Sequence, residues 1–208
     1  MIDWDSCVLW LDSRYFSESK WWDRSKYAND GVVNGAVWKG DAFYFSGNNT
    51  YVNCGNIPEL DNASKITFEA VVIPYPTGTT WNRIVTYSKD TINRGGIMKI
   101  GASNKLGVYL QIGGTVKHKY GYINEYELCH IVGIWTETKI KLWLNKKYIG
   151  SNNSPGDWAM VSGEGNCKIG TWLNATNNFW YGFIKLVRIY KKELSEDEIK
   201  TLATMEGF

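Results

Sequence analysis

The chain has 208 residues, a formal charge of +2, 21 glycines, 4 prolines, 11 tryptophans and 13 tyrosines. A charge this near balance sets up no field that would gather nucleic acid, and the apolar runs are strand-length, too short to cross a bilayer as a helix. Strand-like runs recur between turn residues, with neither repeat nor low-complexity linker, so one all-β domain over residues 1–208 is expected.

In chain order, Met1-Ile-Asp-Trp-Asp5 lacks the basic start and apolar core of a signal peptide. Either a signal was removed or the protein leaves the cell without one, as a virion component would. Trp10, Trp135 and Trp180 are expected inside, and Trp38 is read as structural at a strand start. Thr67–Ile73 reads as a strand with Glu69 as its lone acid. Tyr109, with Gln111 beside it, and Trp143 are candidates to project from a sheet face, and His118 lies between two lysines on a strand expected to be exposed. Residues 122–128 read as a loop.

The last third is the most legible, with strands predicted at 129–135, 139–144, 166–170 and 183–190. Ile140, Leu142 and Leu144 alternate with Lys139, Lys141 and Trp143, the period-two pattern of a half-buried strand. The chain then reverses at Asn145-Lys146, where Asn tolerates left-handed backbone. Ser195-Glu196-Asp197-Glu198 is a capping box, and Ile199 and Leu202 give the short helix an apolar side with which to plug the sheet.

Together these segments resemble the concanavalin A-like, laminin G-like jelly rolls of the lectin and pentraxin group. Cys129-His-Ile-Val132 and Lys141-Leu-Trp-Leu-Asn145 are similar to that family's strand and its "K-L-Y-V-N-G" hairpin. Gly182-Phe-Ile-Lys-Leu-Val-Arg-Ile-Tyr190, with Leu194-Ser195 and Glu198-Ile199, resembles its C-terminal motif. Trp22-Asp-Arg-Ser25 with Asn29-Asp-Gly31, Phe43-Tyr-Phe-Ser-Gly47 with Tyr51-Val52, and Ile66-Thr-Phe-Glu-Ala-Val-Val72 resemble the N-terminal ones. The resemblance implies an all-β, two-sheet antiparallel sandwich (a jelly roll) with a short C-terminal helix. It also implies, in many relatives, a calcium ion at the sheet rim with a carboxylate of the last strand among its ligands. That position here is Lys185, whose ammonium repels a cation, so the usual calcium site is expected to be lost or much weakened. Asp23 and Asp30 are left to order loops or to serve a different site.

Related jelly rolls include glycoside hydrolases, which turn two carboxylates into one groove, usually as E-x-D-x-E. No strand carries that pattern. Glu125 and Glu127 fall in the 122–128 loop, Glu196, Asp197 and Glu198 start the helix, and Asp3 and Asp5 sit near the terminus. Cys129 and His130 are neighbours on a strand and point to opposite faces, so they cannot act as a nucleophile and base. His130 reads as a framework residue, and no catalysis is expected. Cys7, Cys54, Cys129 and Cys167 lack zinc-site spacing and read as free buried thiols, with one disulfide as the alternative. Asn48, Asn62, Asn152 and Asn174 open N-x-S/T triplets in segments read as loops, which supports an extracellular setting.

The candidate site lies where loop aromatics are flanked by polar groups. A ring offers a stacking face to sugar C–H groups, and neighbouring amides supply hydrogen bonds. The candidates are Trp81, Asn82 and Arg83; Asp157 and Trp158; and Trp172, Asn174 and Asn178, with Trp21-Trp22 as a further pair. Lys139, Lys141, Lys146 and Lys147 beside Trp143 are read as an edge kept from aggregating. The expected function is a non-catalytic, lectin-like carbohydrate-binding or attachment module acting on a glycan or glycoprotein surface, extracellular or on a virion. The alternatives are an assembly protein such as a virion coat component, able to form homo-oligomers, and a divergent glycoside hydrolase. Neither nucleic acid nor membrane insertion is expected.

Overall fold

The computed structural model describes residues 1–78, 81–101, 103–173 and 177–208. Its first half holds β1 (Cys7–Phe16), β2 (Lys20–Asp23), β3 (Gly31–Asn34), β4 (Val37–Lys39), β5 (Ala42–Ser46), β6 (Tyr51–Gly55) and β7 (Ile66–Pro74). Then come β8 (Trp81–Ser88), β9 (Arg94–Ile100), β10 (Lys105–Ile112), β11 (Thr115–Tyr122), β12 (Cys129–Trp135) and β13 (Lys139–Leu144). Strands β14 (Lys147–Asn153), β15 (Asn166–Ile169) and β16 (Tyr181–Tyr190) precede α1 (Glu196–Met205).

Antiparallel pairing links the strands in the order β11-β10-β9-β8-β15-β6-β3-β2-β1-β16-β7-β12-β13-β14, with β5 attached to β16 and β4 to β5. The ladder doubles over, so that β10 lies against β12 and β13, and β11 against β13 and β14. The expected all-β jelly roll is thus two layers of one nearly closed sheet. At the seam, Asn152 on β14 donates from Nδ2 to the His118 carbonyl on β11 at 2.5 Å.

The core between the layers includes Val85, Ile97, Val108 and Leu110 from one side and Phe68, Ile131, Trp135 and Leu142 from the other. A second cluster lies under α1, where Val132, Ile134, Trp143 and Tyr190 meet Leu194, Ile199 and Leu202. Strand β12 is therefore buried on both faces and reads as a continuous apolar run rather than an alternating one. The same helix corrects the expectation for Trp143: it does not project from the sheet but is 7 % exposed beneath α1. The capping box is present, with Ser195 Oγ accepting from the Glu198 amide and Glu198 Oε2 from the Ser195 amide.

Trp135 and Trp180 are buried, whereas Trp10 is half-buried and stacks on Trp4. Both rings lie over the guanidinium of Arg188, which is buried on β16. Trp38 is 40 % exposed and ties β4 to β1 through an indole bond to the Ser13 carbonyl. All four cysteines are free and buried. Asn48 and Asn62 sit in exposed turns, Asn152 is on strand β14 rather than in a loop, and Asn174 lies outside the described residues.

Candidate ligand-binding groove

Strands β8 to β11 turn one face to the core and the other outward. The outward face carries Arg83, Arg94, Met98, Tyr109, Gln111, Val116 and His118. Register sets these residues side by side: Arg83 opposes Met98, Gln111 opposes both Arg94 and Val116, and Tyr109 opposes His118. On an unbroken strand Arg83 would share a face with Val85. The pairing of β8 with β9 shifts between these two residues, so Arg83 pairs with Met98 and Val85 with Ile97. That bulge turns Arg83 outward while Val85 stays in the core. Trp81 at the start of β8, together with Trp172 and Asn178, completes a groove of about 300 Å³.

The segment between β15 and β16 is tied down by its own backbone. Gly170 has φ +81°, and a side chain there would meet the Phe45 ring at 2.5 Å, so only glycine fits this turn. The Trp180 amide donates back to the Gly170 carbonyl (2.8 Å), and Thr171 Oγ1 donates to the Asn177 carbonyl (3.1 Å). Arg83 donates its amide to the Asn178 carbonyl (3.0 Å), while Asn82 Nδ2 bonds the Phe179 carbonyl at 2.5 Å. These bonds set Trp172 beside the outward face of β8 and β9.

Two guanidiniums lie against aromatic rings. Arg83 is 4.1 Å from the Tyr109 ring centroid and Arg94 is 4.4 Å from that of Trp172. Arg83 donates to Met98 Sδ and Arg94 to the Thr91 carbonyl. The Nε atoms of both arginines and Nε1 of Trp172 are buried without a hydrogen-bond partner. Burial, reinforced by the Arg83 charge, holds the Arg94 guanidinium below its ordinary range. Tyr109 OH lies 3.3 Å from Thr86 Oγ1, and Gln111 Nε2 donates to the Gly114 carbonyl at 3.2 Å. Among the described residues, the groove is lined by no carboxylate.

Four of the sequence candidates converge here: Trp81, Arg83, Trp172 and Asn178. Asn82 is 1 % exposed and anchors the neighbouring segment instead of lining the groove. Residues 81–83 begin β8 rather than belonging to a loop. Asp157 caps the turn at Trp158–Met160 by accepting the Ala159 amide. Trp158 is 2 % exposed, packs on Tyr87 and Trp135, and donates to the Leu60 carbonyl, so this pair belongs to the core. Asn174 lies outside the described residues. Trp21 is in the core, and Trp22 is 41 % exposed beside Lys20.

Sequence reasoning missed Arg94, Met98 and Val116, and it placed His118 on an exposed strand without assigning it to a site. The alternation Arg94-Gly-Gly-Ile-Met98 and the polar run of β11 were readable signals, but the register that joins them was not.

The remaining candidates for chemistry are occupied. Glu69 on β7 is fully buried and accepts from His130 Nε2 (3.0 Å), Arg188 (3.1 Å) and Tyr190 OH (3.1 Å). His130 is thus a framework residue. Asp23 accepts from the amides of Trp10, Ser25 and Asn29 and from Ser25 Oγ, and Asp30 accepts the Asp23 amide. Lys185 sits where the pairing of β16 with β7 shifts. An ammonium at that position and a carboxylate already saturated by donors do not suit calcium, which requires several free oxygen donors.

A sequence profile described as the concanavalin A-like lectin/glucanases superfamily matches residues 46–200. No curated protein sequence matches the chain. Among solved structures, domain 4 of AbnA, a GH43 extracellular arabinanase from Geobacillus stearothermophilus in complex with arabinotriose, is similar at TM-score 0.72 and 14 % identity, covering 95 % of this chain and 98 % of that one. Trypanosoma rangeli sialidase in complex with sialic acid is similar at TM-score 0.74 and 15 % identity, covering 97 % of this chain and 33 % of the sialidase. The binding domain of botulinum neurotoxin DC in complex with rat synaptotagmin II is similar at TM-score 0.75 and 13 % identity, covering 99 % and 52 %. The chain therefore spans about a third of the sialidase and about half of the toxin domain. At these identities the likeness is one of fold.

Proposed function

Because the chain belongs to the concanavalin A-like lectin/glucanases superfamily, we propose that residues 1–208 form a single non-catalytic, lectin-like module that holds a glycan in the groove on β8–β11. The observation that carries this reading is the gathering of Trp81, Tyr109 and Trp172 beside Arg83, Arg94, Gln111 and Asn178 on one outward face. Rings stack on the C–H faces of sugars, and amides and guanidiniums bond hydroxyls. The volume falls at the low end for small-ligand sites. Of the neighbours, the arabinanase domain is described with arabinotriose, the sialidase with sialic acid and the toxin domain with synaptotagmin II, which supports a glycan or glycoprotein partner. A binding role is also favoured by the lack of a carboxylate among the described residues of the groove, and by the sealing of Glu69 inside the sheet. The module acts outside the cell, in attachment to a cell or particle surface.

A glycan array run with calcium and again with chelator tests this. The expected result is binding to a defined sugar that survives chelation and is lost in Trp172→Ala. A blank array under both conditions overturns the reading.

One feature favours an assembly role beside it. Tyr44, Tyr75, Tyr126, Tyr181 and Phe183 form a connected ring cluster in which Tyr126 is 64 % exposed, and tyrosine is enriched in protein interfaces. Sedimentation at low concentration tests it. A monomer throughout removes self-assembly.

A further inference from the structure

We propose that the ligand of the β8–β11 groove is an acidic glycan, with its carboxylate or sulfate held by Arg83 and Arg94 and its sugar ring held by Trp81, Trp172 and Tyr109. The inference rests on the reading of the groove as a carbohydrate site and names the class of sugar.

The groove gathers two guanidiniums that form no ion pair among the described residues. The chain pairs its other deeply buried guanidinium: Arg188 is 1 % exposed and meets the carboxylates of Glu69 and Glu206. Arg83 is 7 % exposed, and its contacts are a ring face and a thioether. Arg94 is half-buried, has a ring face and one carbonyl, and feels the charge of Asp90 only from beyond ion-pair distance. Neither takes part in an ion pair among the described residues. A buried charge without a counter-charge is costly, and buried polar atoms without partners are rare in folded proteins. Here both Nε atoms are unpartnered and both arginines line the same cavity. An incoming anion supplies what is missing, because a guanidinium offers a planar fork of donors that matches a carboxylate or sulfate. The groove presents no acid among its described residues to repel that anion. The rings explain why the anion is carried on a sugar: an inorganic anion would leave Trp81, which is 36 % exposed, with nothing to stack on.

The test is calorimetric titration of the full chain with matched pairs. These are sialyllactose against lactose, a galacturonic acid oligomer against its methyl ester, and a sulfated glycosaminoglycan oligosaccharide against its desulfated form. At least one acidic member is expected to bind about tenfold or more tighter than its neutral partner, and the pair that shows it distinguishes carboxylate from sulfate. That preference is expected to shrink in Arg94→Gln and to weaken between about 50 and 500 mM salt as screening increases. Arg83→Met is the second variant. Its thermal midpoint without ligand is expected to hold or rise, since no ion pair is lost, while the acid preference disappears. Equal binding of neutral and acidic members overturns this proposal and leaves the carbohydrate reading standing. No binding of any member, in a protein whose circular dichroism shows it folded, overturns both.

Discussion

Trp135 on β12 donates its indole N–H to the backbone carbonyl of Tyr109 on β10 at 3.1 Å, so the floor of the groove is held from inside the sandwich. The bond crosses from one layer to the other because residue 95 is glycine. A β-carbon there would lie 2.1 Å from the Trp135 ring and 2.6 Å from the Tyr109 oxygen. Gly95→Ala is expected to cost about 1–3 kcal/mol by overpacking, and Trp135→Phe to cost about 1–2 kcal/mol through the lost bond and volume. Urea denaturation measures both, and wild-type midpoints in both variants would show that this contact does not matter.

The tryptophans divide into two classes that mutation separates. Trp172→Ala is expected to lower glycan affinity about tenfold, in line with the worth of an aromatic contact, while leaving most of the stability intact. Trp158→Ala should do the reverse, losing about 3–5 kcal/mol of stability because a core ring is removed. Titration and thermal melts on the two variants decide, and an affinity loss confined to Trp158→Ala would refute the placement of the site.

Glu69 makes stability depend on acid. Burial alone would raise its carboxyl, but the Arg188 charge and the bond from His130 outweigh this and hold it below the ordinary carboxylate range. A carboxylate depressed by folding contributes stability that is complete above its unfolded pKa of about 4.3. That contribution is lost as pH falls through the lower folded value. The urea midpoint of the wild type should therefore drop as pH falls below about 4.3, with a shallower drop in Glu69→Gln. At pH 7 the same variant is expected to be less stable by about 3–5 kcal/mol, since it leaves Arg188 short of a partner. Parallel pH profiles for the two proteins would refute the assignment.

The thiols should be silent in the native state. Burial pushes Cys129 up to about 12 and raises Cys7 as well, while a hydrogen bond to Cys167, together with burial, raises Cys54. A thiol reagent that needs thiolate and access is expected to label none of the four quickly under native conditions and all four in denaturant. A deficit of two in denaturant would show a disulfide.

Calcium should leave the protein unchanged. With Lys185 on the last strand and Asp23 saturated by donors, the thermal midpoint is expected to be the same in millimolar-range calcium and in chelator. A calcium-dependent rise would overturn the reading of Lys185, because any ion bound only by the folded state stabilises it.

The sequence alone determined what depends on neighbours along the chain. A continuous apolar run marked β12, alternation marked β13, Asn145 marked the turn after β13, Ser195 and Glu198 marked the start of α1, and positions within or beside strands marked the cysteines as buried. Tertiary structure alone decided which faces meet. Trp143 carries the same alternation as Lys141 but is covered by α1, which comes more than fifty residues later. Trp158 follows an amide-rich stretch as Trp172 precedes one, yet it folds into the core against Tyr87. The groove required β8, β9, β10 and β11 in one register and a bulge that turns Arg83 outward. A one-residue slip between strands reverses every side chain. Side-chain period is a local property of a strand, but register and layer stacking are settled by burial between segments far apart in sequence, and that is where the site was made.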